Sequence, residues 1–259
     1  MVYADLHVHT TRSDGELTLS EVPAAAREAG VSVVAITDHD RVHPDLDAPV
    51  TVRDGVTLVR GIELRVEAGD QRVDLLGYGV SATPALDEEL DRLQRDRIER
   101  GRAIVENVED RLGVRLDVDV EEGIGRPHIA RAVDANPDTE YGYEGAFDDL
   151  IGDDCDCFVA RDVTPFDRGR ELLSAACGVV GLAHPLRYPD PTAALALTED
   201  LDAVERFYPY DRAVDVRPIE RAIADHDLLA TGGSDAHDHT LGVAGLSESD
   251  FRTLDARLA

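Results

Sequence analysis

Short apolar strands alternate with amphipathic helices along this chain, and strand after strand runs out into histidine, aspartate or glutamate. Val2-Tyr3-Ala4 leads into Asp5-Leu6-His7-Val8-His9-Thr10. Residues 31–36 lead into Thr37-Asp38-His39-Asp40, and residues 56–62 into Glu63. Residues 179–183 precede His184, and residues 228–231 precede Gly232-Gly233-Ser234-Asp235-Ala236-His237. Alternating strands and helices predict an α/β fold with a parallel sheet closed as a barrel. In such folds the C-terminal strand ends gather at one face and build the active site.

His7 and His9 stand at i and i+2, so in an extended segment both imidazoles face one side and can reach one ion. His7, His9, Asp38, His39, Glu63, His184, Asp235 and His237 supply potential ligands of both imidazole and carboxylate type from five strand ends. Carboxylates can bridge two ions, so this set argues for more than one metal. Residues 72–77 read as a further short strand with Asp74 inside its apolar run. From about 84 to 112 the pattern is helical and heavily charged, Pro127 suits the first turn of a short helix, and 134–154 reads as a long irregular segment.

The formal net charge is -28, and every one of the 26 basic residues is an arginine. The carboxylates are spread along the whole length, which describes a solvated surface suited to high salt and a halophilic source. Such a field opposes attraction of long nucleic acid. Three cysteines, with Cys155 and Cys157 one residue apart, fit a reduced, cytoplasmic setting. No apolar run of membrane-spanning length and no leader pattern is read, so neither a membrane nor secretion is expected. There is no P-loop and no G-x-G-x-x-G after a strand, which excludes ATPase and dinucleotide readings.

The motifs DLHVHT followed by Ser13-Asp14-Gly15, TDHD, GIE, AHP and GSDAH, in this order from Asp5 to His237, resemble the PHP (polymerase and histidinol phosphatase) superfamily. GRPHIARAV at 125–133 and AHPLRY at 183–188 are similar to its small stand-alone phosphoesterases. The resemblance implies a distorted seven-stranded (β/α) barrel with a small, mainly helical insertion. The barrel would comprise 1–80 and 151–259, and 81–150 would lie over the active-site face. It also implies two or three divalent ions, Mn2+, Zn2+ or Fe2+. His7, His9, Glu63 and Asp235 would hold one; Asp14, His39 and His237 a solvent-facing second; and Glu63 would bridge to a further ion bound by His184. The superfamily usually offers histidine where this chain has Asp74, whose harder oxygen favours Mn2+ or Mg2+ over Zn2+ or leaves that ion weakly held or absent. Leu186 also stands where glycine is usual.

Clustered ions would activate water and neutralise phosphate oxygens. Arg126, beside His128, and Arg187, after His184, are the candidate phosphate donors, because guanidinium matches phosphate bidentately. Of Asp38 and Asp40, one is expected to orient an imidazole. Tyr208 and Tyr210 are candidates to stack on a base. The resemblance makes nucleoside phosphates, including 3',5'-bisphosphates, or the 5' ends of short oligonucleotides the expected substrates. Histidinol phosphate is an alternative, and a non-catalytic, metal-stabilised binding module is a second reading from another class.

Overall fold

The structure, a computed structural model, describes residues 1–258. Its strands are β1 (Ala4–Val8), β2 (Val33–Ile36), β3 (Val50–Arg53), β4 (Val56–Ala68), β5 (Gln71–Tyr78), β6 (Thr164–Pro165), β7 (Val179–Leu182), β8 (Ala203–Phe207) and β9 (Leu229–Gly232). Its helices are α1 (Val22–Ala29), α2 (Pro84–Leu112), α3 (Arg126–Asp134), α4 (Tyr143–Ala146), α5 (Phe166–Ala176), α6 (Pro191–Ala196), α7 (Arg217–His226) and α8 (Glu248–Asp255). The chain divides into two compact units: Met1–Glu88 with the stretch from Val163 onward, and Glu89–Asp162. No helix among the described residues is long and apolar enough to cross a membrane.

In the first unit seven strands form one path, β1-β2-β4-β5-β7-β8-β9, with β3 and β6 added beside β4. The two ends of the path meet. The His9 amide donates to the Ala236 carbonyl at 3.0 Å and the Ala236 amide to the His7 carbonyl at 3.3 Å. The sheet is thus curled into a distorted barrel, as expected, but it is mixed, not all parallel: β5 runs antiparallel to both β4 and β7. The cause is local. Ala68 pairs with Gln71 across a two-residue turn in which Gly69 takes φ 65, so β4 folds straight back as a hairpin. β3 was not expected either. It pairs antiparallel with β4 through the Asp54-Gly55 turn, whose φ values of 49 and 81 are those of a tight hairpin.

Alternation along the strands divides the core. Val33 and Ala35 face one cluster, with Leu6, Val59, Leu76 and, from α8, Phe251 and Leu254. Val34 and Ile36 face the other, with Val8, Leu58 and the α1 residues Val22 and Ala26. Polar side chains that interrupt such strands are held there by their partners, and those partners form the site.

The second unit has its own core. Ile104 and Val108 of α2 pack with Ile129, Ala130 and Val133 of α3 and with Ala146, Leu150, Ile151 and Cys157. The span expected to be irregular is helical from Tyr143 to Ile151, because Ala146 and Leu150, and Phe147 with Leu150 and Ile151, recur at three- and four-residue steps against that core. The three cysteines are unpaired.

Candidate metal centre

β1 presents His7 and His9 on one side, and their ring centroids lie 5.2 Å apart. His39 follows β2 and pairs back to Glu63 by an isolated bridge. Glu63 sits within β4 and not at its end, yet β2 stops at Ile36 opposite Arg60, which leaves Glu63 at the rim. His184 follows β7 with φ 27 and Asp235 follows β9 with φ 51, two left-handed backbones at non-glycine residues. Strain of this kind gathers at functional sites. Asp14 arrives from the loop after β1.

Glu63 is divided between two sets of imidazoles. Its Oε1 lies 3.1 Å from His184 Nε2 and 3.4 Å from His7 Nε2. Its Oε2 lies 2.7 Å from His39 Nδ1 and 3.4 Å from His9 Nε2. Asp235 Oδ1 lies 3.1 Å from His9 Nε2 and 3.4 Å from His7 Nε2. His9, Asp14, His39 and His237 form a second, less buried group, with His237 Nε2 3.4 Å from Asp14 Oδ1. The arrangement therefore has a buried half around His7, His9 and Glu63 and a half nearer solvent.

Charge is concentrated here. Burial alone pushes the Asp14, Glu63 and Asp235 carboxyls up, but the facing imidazoles outweigh it and hold all three below the ordinary range. Burial likewise pushes His7 down, while Asp235, Glu205 and Glu63 together raise it well above its usual value. For His9, burial and the neighbouring His237 and His39 win, and it is lowered.

The donor set fits divalent ions. Glu205 Oε1 lies 3.1 Å from His7 Nδ1 and accepts a hydrogen bond from it, which leaves Nε2 facing the centre, where it takes a proton or, once deprotonated, an ion. That buried Nε2 makes no hydrogen bond, although two carboxylate oxygens stand 3.4 Å away. Without an ion a proton on His7 offsets these carboxylates; with the imidazole neutral, the converging lone pairs call for a cation in its place. His237 repeats the device by holding Nδ1 2.8 Å from the Asp235 carbonyl.

The remaining expected residues have different surroundings. Asp38 does not orient an imidazole. Its oxygens accept from the Thr10 amide and hydroxyl and from Ser13 Oγ, so it fixes the loop that carries Asp14. Asp40 accepts from the Arg65 amide at 3.1 Å. Arg187 does reach the centre: Nη1 donates to Asp235 Oδ2 at 3.0 Å and to the Tyr208 hydroxyl at 2.8 Å. Arg126 and His128 lie in the other unit. There Arg126 donates to the Ile151 carbonyl and to Asp153, and His128 Nδ1 accepts from the Gly125 amide. Asp74 is brought to His184 but is gripped by Arg65, with Nε and Nη2 each 2.7 Å from one of its oxygens.

Three residues of the site escaped the sequence reading. Glu205, inside the apolar strand β8, accepts from the His184 amide as well as from His7. Asp5, wholly buried in β1, accepts from the Ser234 amide and hydroxyl and the Gly242 amide, tying the end of β9 to β1. Arg65 is the third. The available signal was a charged residue inside an otherwise apolar strand.

A family model described as PHP domain matches residues 5–141. The chain is 32% identical to a phosphoribosyl 1,2-cyclic phosphate 1,2-diphosphodiesterase of Eggerthella lenta, across 90% of this chain and 93% of that one. It is 26% identical to a 3',5'-nucleoside bisphosphate phosphatase of Chromobacterium violaceum, across 100% and 98%. In structure it matches a metal-dependent phosphoesterase fold from Bifidobacterium adolescentis with a TM-score of 0.81, at 24% identity over 99% of this chain and 96% of that one. The chain belongs to the PHP domain family and is a hydrolase of phosphate esters.

Proposed function

We propose that this chain removes phosphate from a small nucleoside phosphate, with a 3',5'-bisphosphate as the preferred class. The observation that carries the reading is the divided Glu63, whose two oxygens face separate imidazole pairs at the buried and the outer half of the centre. His7, His9, Glu63, His184 and Asp235 are assigned to the buried half, and Asp14, His39 and His237 to the outer half. Divalent ions held there lower the pKa of water and offset charge on phosphate oxygens.

The chain's own residues do the rest. Arg187 keeps one nitrogen on Asp235 and Tyr208, and its half-exposed guanidinium presents the other N–H groups to a phosphate oxygen. Burial, with Asp235 beside it, raises the Tyr208 phenol, so it stays protonated and donates to Asp235 Oδ2 at 2.9 Å. Leu186, Arg187, Tyr208, Tyr210, Asp211 and Arg212 line a cavity of about 360 Å³ next to this pair. Its two tyrosine rings suit a nucleobase and its two guanidinium groups a further phosphate. The Eggerthella relative, which is named for a cyclic phosphate, supports including a cyclic diester among the substrates tested.

The test is turnover, read as inorganic phosphate, as released nucleotide and as ring-opened monoester, of adenosine 3',5'-bisphosphate, adenosine monophosphate, histidinol phosphate, a ribose 1,2-cyclic phosphate and a 5'-phosphorylated pentanucleotide, in molar KCl with Mn2+. Bisphosphate turnover that falls about 100-fold or more in Asp235→Asn is expected. Turnover of histidinol phosphate alone would replace the nucleoside reading. Silence across the panel, with ions bound and the fold intact, would support the binding module instead.

A further inference from the structure

Glu63, Asp74 and His184 present three ligand atoms close enough for one ion, which makes this corner a candidate third metal position. Its geometry toward Arg65 argues otherwise. Arg65 and Asp74 are directly opposed in the antiparallel ladder of β4 and β5. Glu63 and Arg65, two residues apart on β4, project on the same side. The guanidinium closes on Asp74 with both a 2.7 Å Nε–Oδ1 and a 2.7 Å Nη2–Oδ2 contact, and the carboxylate is 1% exposed. His184 Nε2 is 3.7 Å from Asp74 Oδ2 but 3.1 Å from Glu63 Oε1, so the imidazole leans to Glu63.

We infer that Arg65 closes the Glu63–Asp74–His184 corner to a divalent ion, so that the centre takes two ions and carries a fixed guanidinium where a third would sit. An ion bound to Asp74 Oδ2 at about 2.2 Å would lie no more than about 5 Å from Arg65 Nη2, since Nη2 is 2.7 Å from the same oxygen. Two positive groups at that range repel; the Arg65 side chain is 38% exposed and partly screened, but the Asp74 carboxylate between it and the corner is 1% exposed, so the facing side is dry. The guanidinium is also always charged, so no pH within reach of the fold removes the repulsion. Asp74 is then not a ligand that replaces histidine. It is the counter-charge that holds Arg65 beside Glu63.

This rests on the metal-centre reading above, and one measurement separates the two. Protein saturated with Mn2+ and freed of excess is counted for ions per chain by mass spectrometry, and the ions are placed by anomalous scattering. Two ions per chain, with no anomalous peak among Glu63, Asp74 and His184, is the expected result. A third ion at that corner overturns the inference and leaves the phosphoesterase reading intact. No bound ion overturns the metal centre and the inference with it. Arg65→Gln, which keeps Asp74 but removes the charge, should raise the count from two to three. Arg65→Ala with Asp74→His should do the same. Should either variant fail to fold, the wild-type count and map decide alone.

Discussion

His7 faces a carboxylate on each side, and the proton it carries decides which of them an ion must satisfy. Glu205 accepts a hydrogen bond from Nδ1 and leaves Nε2 to the centre, where a proton and an ion compete for it. Glu205→Gln keeps the volume but offers one acceptor where the His7 ring and the His184 amide each donate. We expect metal affinity to fall about 10–100-fold and stability by about 1–3 kcal/mol, read from chelator competition and from denaturant unfolding. Unchanged affinity would reduce Glu205 to a packing role. Protons compete for the same nitrogen. Because His7 is raised in the metal-free fold, ion binding should weaken from above about pH 6.5 downward. The signs for the metal-free protein are opposite at the two ends. The His7 contribution is present below about 6.5 and is lost as pH rises through its folded value. Those of Asp14, Glu63 and Asp235 are present above about pH 4 and are lost as pH falls through their depressed values. Chelator-treated protein should therefore be most stable between about pH 4 and 6.5, and denaturation across pH checks it. A plateau extending unchanged to alkaline pH would remove His7 from the balance.

At the scale of elements the centre depends on how closely the end of β9 approaches β1. A Cβ on Gly233 would stand 2.3 Å from both the His7 Cβ and its backbone nitrogen, so Gly233→Ala forces the two segments apart. The expected cost is about 1–3 kcal/mol, together with weakened ion binding, because His7 and Asp235 sit on the two sides of the seam. Intact binding in that variant would mean the seam relaxes elsewhere. The same seam explains what could be read in advance. His9, His39, His184 and His237 were legible because each follows an apolar strand, and an α/β pattern sends such residues to one rim. Glu205, Asp5 and Arg65 were not, because each lies inside a strand and its partner is 198, 229 or 9 residues away in the chain. Register carries that information, and the hairpin at Gly69 sets the register of Arg65 against Asp74. Asp38 misled for a related reason: its place beside His39 suggested an imidazole partner, while the fold brings Thr10 and Ser13 to it.

For the whole molecule, the dominant number is the net charge of -28 on 259 residues with no lysine. Several arginines are already paired, as Arg92 is with Glu89 and Asp162, and Arg217 with Asp215, so the excess carboxylates repel one another with few partners left to recruit. At about 0.01 M salt the screening length is roughly 30 Å, which lets that repulsion act across the molecule, and at about 1 M it is roughly 3 Å. Exposed pairs are worth little at either limit, so the self-repulsion term dominates the salt response. The thermal midpoint should rise by on the order of 10 °C between these limits. A neutral excluded solute such as sucrose should reproduce only part of the rise, since it strengthens burial without screening charge. A midpoint indifferent to KCl would mean that the surface charge is balanced locally, and the halophilic reading of the sequence would fall with it. The same experiment bears on the site. Three carboxylates of the centre lie within that negative field, so raising the salt should weaken ion binding by screening while it strengthens the fold. Midpoint and ion affinity measured along one KCl series should therefore move in opposite directions.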